Sequence, residues 1–156
     1  MRAALLLALL AAPAHAACQG DEAFSCQIGA KTLEVCYWKG MLTYRFGPKS
    51  MPELTISEPL ETIAYTPWPG IGRAIWDSVA FENEGVTYEV WSSFDRLDEN
   101  AVIEGGVNAM QGDRTLATLT CDKGSVERGL DTISDLKAGI GQCWSLDTQS
   151  WTTGCN

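Results

Sequence analysis

The chain is expected to fold as a mainly β protein, an antiparallel β-sandwich or small barrel with one C-terminal amphipathic helix. Short segments of period-two alternation recur along it, separated by glycine, proline and asparagine. A single stretch near the C-terminus switches to helical spacing. Six cysteines follow an N-terminal export signal, the pattern of a disulfide-bonded domain.

The export signal comes first. Arg2 supplies a positive start, Ala3 to Ala12 form an apolar run, and Ala14-His15-Ala16 is an A-x-A cleavage site. The run is shorter than the roughly 20 residues a membrane-spanning helix needs. Residues 1–16 are therefore expected to be a signal peptide, and residues 17–156 a single disulfide-bonded β domain, periplasmic or secreted. Cleavage after Ala16 removes His15, the only histidine, and leaves 140 residues. His15 also occupies the position three before Cys18 where a lipoprotein signal carries an aliphatic residue, so no lipid anchor is expected.

The strands follow in order. Thr32 to Tyr37 alternates apolar and polar, and Lys39-Gly40 turns the chain into Met41 to Phe46, where Leu42, Tyr44 and Phe46 share a face. Gly47-Pro48 ends that strand, and Glu53 to Ser57 forms the next. Ser78 to Glu82 and Val86 to Trp91 make a second hairpin around Asn83-Glu84-Gly85, with Val86, Tyr88 and Val90 opposed to Glu89 and Trp91. Two more strands are expected near Ala101 to Glu104 and Thr115 to Thr120. Val126, Leu130, Ile133, Leu136 and Ile140 then recur at helical spacing behind Ser125 as N-cap, with Asp131, Asp135 and Lys137 on the opposite face. This helix is expected to close the open end or one face of the sheet.

The cysteines are expected to pair as three disulfides. Cys26 and Cys36 would bridge a hairpin turning at residues 28–32. Cys121 and Cys143 would clip the helix to a strand, and Cys18 and Cys155 would tie the termini. No C-x-x-C pair is present, which argues against zinc, and no cofactor is expected. Asp95, Asp98 and Asn100 offer oxygen ligands, but their spacing is not that of a calcium loop, so no metal site is assigned.

Charge and missing residue types limit function. The full chain carries 11 basic and 20 acidic residues, a net charge of -9. That balance opposes nucleic-acid and anionic-membrane partners and favours a cationic one. Without histidine the usual serine and cysteine hydrolase bases are absent, and disulfide pairing leaves no cysteine nucleophile. A Ser-Lys pair remains a formal possibility. Glu82, Glu84, Glu89, Asp95, Asp98 and Glu99 supply carboxylates for glycosidase-like chemistry, so an enzyme acting on envelope glycans is the alternative reading. Their places on hairpin tips and outward strand positions suit solvated side chains better, and no catalytic residue is assigned.

Six tryptophans are more informative. Trp76 and Trp144 are expected in the core. Trp68 lies in the segment Tyr65 to Arg73, a loop by composition, where Pro67 and Pro69 fix the backbone on either side of the ring. Trp68, Arg73 and Tyr65 are therefore the candidate binding residues, since these residue types anchor interfaces.

Leu33-Glu34-Val35-Cys36, Leu42 to Gly47, Pro52-Glu53-Leu54, Tyr88-Glu89-Val90, Gly106-Val107 and Leu116 to Cys121 together resemble a family of small exported, uncharacterised proteins of Gram-negative bacteria. That resemblance spans roughly residues 24–144 and implies a compact secreted β domain, with no activity to carry over. A fainter likeness, in size, charge and compartment, is to the periplasmic inhibitors of c-type lysozyme. Of their Ser-Gly-x-Gly loop only Gly70-Ile71-Gly72 is matched, and their lysine loop is absent. The expectation is thus an exported, non-enzymatic binding or envelope protein of unknown ligand, with a cationic protein such as a lysozyme as its candidate partner.

Overall fold

The computed structural model describes residues 18–154. The expected signal peptide and cleavage site lie outside these residues, as does Cys155. The elements run β1 (Asp21–Ile28), β2 (Lys31–Trp38), β3 (Met41–Gly47), β4 (Leu54–Pro59), β5 (Ala64–Thr66), β6 (Ala74–Asn83), β7 (Val86–Asp95), β8 (Glu104–Gln111), β9 (Arg114–Thr120), α1 (Thr132–Gly139), β10 (Gln142–Ser145) and β11 (Ser150–Thr153). One sheet has the order β1-β2-β3-β4, a second β5-β6-β7-β8-β9, and β10–β11 forms a separate hairpin. Every strand pairing is antiparallel. The two larger sheets are distinct and share one core, so the molecule is a β-sandwich and not a barrel.

Register shows why the core forms. Phe24, Val35, Tyr44 and Ile56 lie in line across the first sheet. Tyr65, Val79, Val90 and Val107 do the same across the second. All eight are buried in one apolar cluster. Tyr44 spans the gap, with ring centroids 5.6 Å from Phe81 and 5.7 Å from Tyr88. Each large side chain buried here contributes about 1.5–3 kcal/mol of transfer free energy. On the outer face of the first sheet, Glu34 and Arg45 stand directly opposite and form an ion pair at 3.2 Å.

Strand β8 starts at Glu104, so residues 101–103, expected as strand, instead lead into it. Its two glycines look like a turn but are required by packing. A Cβ on Gly106 would come within 2.2 Å of the Leu119 carbonyl oxygen and 3.1 Å of the Trp91 ring. Trp76 corrects another expectation. Asp77, Val79 and Phe81 point inward from β6, which turns Trp76 outward, where it is 38% exposed.

The disulfides differ from those expected. Cys18 pairs with Cys36 and Cys26 with Cys121. Cys26 lies opposite Leu33 on the core side of the β1–β2 hairpin, whereas Cys36 lies opposite Glu22 on the outer side. Opposite faces of one sheet cannot be bridged, so Cys26 reaches the other sheet instead. Cys121 and Cys18 are therefore unavailable to Cys143 and Cys155. Cys143 is also disulfide-bonded.

The helix is shorter than the apolar spacing suggests. Residues 122–128 use their backbone groups on the edge of β1: Asp122 N donates to the Gln27 carbonyl at 2.7 Å and Glu127 N to that of Ser25 at 3.1 Å. Ser125, expected to cap the helix, accepts from Gln27 N at 3.1 Å. Helix α1 begins only at Thr132, and with Leu130 and Ile133 buried it closes one end of the sandwich. Lys137, expected on its solvated face, is 1% exposed. No helix among the described residues is long and apolar enough to cross a membrane.

Candidate functional site

The loop between β5 and β6, residues 67–73, carries the predicted site. Gly70 and Gly72 adopt φ of +84° and +94°, which lets the chain curl back on itself. The Trp68 indole N–H donates to the Ile71 carbonyl at 2.8 Å, and the Arg96 guanidinium lies 5.4 Å from the centre of the Trp68 ring. Arg73 is bound to Asp95, Nε and Nη2 each 2.6 Å from Oδ2. Leu97 N donates to the other Asp95 oxygen at 3.0 Å, and these bonds hold the Asp95 carboxyl below its ordinary range. The loop is thus preorganised by its own contacts, and Arg73 acts as its tether.

Tyr65 does not belong to the surface. It is 2% exposed, and its hydroxyl donates to Asp77 Oδ1 at 2.9 Å. That leaves the Tyr65 oxygen to accept from the Ser134 hydroxyl at 3.1 Å. Burial raises the Asp77 carboxyl above its ordinary range, against the lowering effect of its bonds from Tyr65 and Trp68 N. Burial likewise pushes the Tyr65 phenol far up.

The wall opposite the loop comes from the C-terminal hairpin. Trp144 and Trp151 are cross-strand partners with ring centroids 5.6 Å apart. Trp151 stacks on Tyr65 at 5.9 Å and donates its indole N–H to the Tyr65 carbonyl at 2.7 Å. Lys137 lies behind, its ammonium 5.3 Å from the Trp151 ring centre. It donates to the Leu60 carbonyl at 2.8 Å and Gln142 Oε1 at 3.2 Å. Burial lowers its pKa.

Between loop and hairpin opens a cleft of about 630 Å³. Trp68, Pro69, Trp144 and Trp151 wall it, and Ser134 and Asp135 of α1 line it. Asp135 is the only charged residue lining it among those described. Of the predicted site residues, then, Trp68 lines the cleft, Arg73 braces its loop and Tyr65 lies beneath it. Sequence reasoning missed Ser134 and Lys137, although Ser134-Asp135-Leu136-Lys137 has the S-x-x-K spacing of some serine nucleophiles. The two are not assembled as such a pair. Ser134 faces this cleft, whereas Lys137 lines a separate cavity on the side of Trp151 and Ala64. A phenol that holds its proton as firmly as Tyr65 is a poor general base for Ser134. The arrangement is built to orient a bound group through Ser134, against aromatic walls.

The carboxylates considered for glycan hydrolysis fall into two separate groups: Glu82 and Glu89 lie diagonally on one face of the β6–β7 hairpin, while Asp95 and Asp98 line a pocket with Glu104 farther along. Glu82 accepts the Thr87 hydroxyl at an exposed hairpin end. Asp95 lies six residues beyond Glu89 on β7, roughly 20 Å along the strand. Asp98 accepts from Asn100 N at 2.9 Å. Among the described residues no three His, Cys, Asp or Glu side chains converge in a way that could hold a metal ion. Comparison with known protein families, with curated proteins and with solved structures finds no match.

Proposed function

We propose that this chain is an exported, non-enzymatic binding protein that captures a cationic protein by seating one of its basic side chains in the tryptophan cleft. The observation that carries the reading is the composition of the cleft. Three indole rings surround a space whose only charge among the described residues is the carboxylate of Asp135. Aromatic faces and edges take the aliphatic stem of a lysine or arginine, and the carboxylate meets its head group. The net charge of -9 steers a basic partner toward the molecule at low salt. Disulfides in the fold agree with export to an oxidising compartment.

Titration of the purified protein with a c-type lysozyme, as a cationic probe, tests this by calorimetry at several salt concentrations. Capture is expected to weaken with salt. Trp68→Ala and Trp144→Ala are each expected to weaken it about 30-fold, the loss typical of an interface anchor. Asp135→Asn should flatten the salt dependence. Capture that survives both tryptophan replacements in a folded protein places the contact elsewhere. No capture of lysozyme or of other basic proteins removes the cationic-partner reading.

A further inference from the structure

A β-sandwich of two open sheets has four edge strands, and unprotected edges pair with other chains. Three of the four are protected here. The edge of β1 is bonded by residues 122–128, through Asp122 and Glu127. The edge of β4 is short, bracketed by Pro52 and Pro59, and carries Glu58, whose carboxylate accepts from Glu82 N. The edge of β5 is three residues long and is taken by Trp151 at the Tyr65 carbonyl. The fourth edge, β9, has no covering segment among the described residues and no proline, and its one irregularity is a bulge at Leu116, between the pairs Ala109–Ala117 and Met110–Thr115. Among the described residues its backbone bonds only to β8. Thr115 to Thr120 contains neither charge nor proline, and all of β9 except Leu119 is exposed.

The direction of its free groups follows from the ladder. Cys121 N donates to the Gly105 carbonyl at 2.8 Å, so Gly106 and Thr120 form a non-hydrogen-bonded pair. Leu119 then faces β8 with its N–H and C=O, while Thr118 and Thr120 direct theirs to the open side. We propose that β9 is a strand-pairing surface whose occupant is a second copy of this chain, joined antiparallel about a twofold axis into one continuous sheet of ten strands.

A second copy is favoured by charge and symmetry. The chain carries a net charge of -9, yet Thr115 to Thr120 is uncharged, so copies approach there with the least repulsion. A twofold axis through Thr118 sets Thr118 opposite Thr118 and Ala117 opposite Leu119, within the regular stretch of β9 beyond its bulge, and brings the bulged Leu116 to the end of the seam. Leu116, 42% exposed in the single chain, gains cover. Strand addition alone buries less than the roughly 1,200–2,000 Å² of a stable interface. The expected dimer is therefore reversible.

Sedimentation velocity of the purified protein over a concentration series tests this. The protein is expected to shift from monomer to dimer as concentration rises. Thr118→Pro removes an outward N–H without touching the bonds to β8, so it should weaken dimerisation about tenfold or more at unchanged thermal stability. Leu116→Lys places a charge on the edge and should act likewise, and it reads the edge even where the proline variant fails to fold. A protein that is monomeric throughout the series overturns the proposal, including the case where it binds a synthetic peptide of residues 114–120 only as a foreign strand. A dimer indifferent to Leu116→Lys overturns it as well.

Discussion

Replacing Cys26 and Cys121 together by alanine is expected to lower the unfolding free energy by about 4–5 kcal/mol. The bond joins residues 95 apart, so in the reduced unfolded chain a long loop regains its freedom. It also ties the two sheets directly, since Cys26 belongs to β1 and Cys121 follows β9. Single domains are stable by only about 5–15 kcal/mol, so the double variant should sit close to unfolding at growth temperature. Cys18→Ala with Cys36→Ala opens a loop of separation 18 and should lose about 3 kcal/mol. Urea unfolding of the two double variants beside the parent decides the matter. Equal losses, or a larger loss from the shorter loop, would show that local packing outweighs chain entropy here.

Above about pH 11 stability is expected to fall by about 2.7 kcal/mol per pH unit. Tyr44 and Tyr65 are 1% and 2% exposed, and burial raises both phenols far above the ordinary value of 10.0. Below that value both states hold the two protons, and the phenols do not penalise folding. Above it the unfolded chain releases them while the folded chain does not, so protons favour the native state and stability is lost as pH rises. Lys137 acts the other way, because burial lowers its pKa from 10.5. Its opposing gain fades above pH 10.5, as the lysine of the unfolded chain becomes neutral too, and the two tyrosines then dominate. Urea unfolding between about pH 9 and pH 12 should show this slope, and Tyr44→Phe should halve it. A flat profile in the parent protein would mean that the phenols ionise freely in the folded state.

Much of the sandwich is legible in the sequence wherever one sheet face is apolar and the other polar. Val86 to Trp91 and Met41 to Phe46 alternate cleanly because β7 and β3 each face the core on one side only. Strand β1 hides because Ala23, Phe24, Ser25 and Cys26 are all buried and its register shifts between Glu22 and Phe24, which erases period two. Strand β8 hides because packing against Trp91 and Phe24 demands glycine at 106 and 105, residues that read as a turn. The apolar spacing from Val126 to Ile140 overstates the helix, since its first half is spent covering the edge of β1. At the site, Pro67 and Pro69 mark the Trp68 loop from sequence alone. Trp144 and Trp151 join it only through the hairpin register that sets them opposite each other, a long-range pairing that no local pattern encodes. Lys137 looks solvated on a helical wheel, and only the approach of Leu60 and Gln142 shows that it is a buried cation held by neutral oxygens.

The interleaving of the disulfides bears on how the chain matures. A polypeptide entering an oxidising compartment from its N-terminus presents Cys18 and then Cys26 before any other thiol. Oxidation in order of arrival would join those two, yet the native partners are Cys36 and Cys121. Cys121 emerges only after β9, so Cys26 must wait for nearly the whole sandwich or be freed from an earlier match. Reshuffling proceeds by thiolate attack through mixed disulfides and takes seconds to hours without a catalyst. Disulfide isomerase activity beside the oxidant is therefore expected to raise the yield of the native pairing.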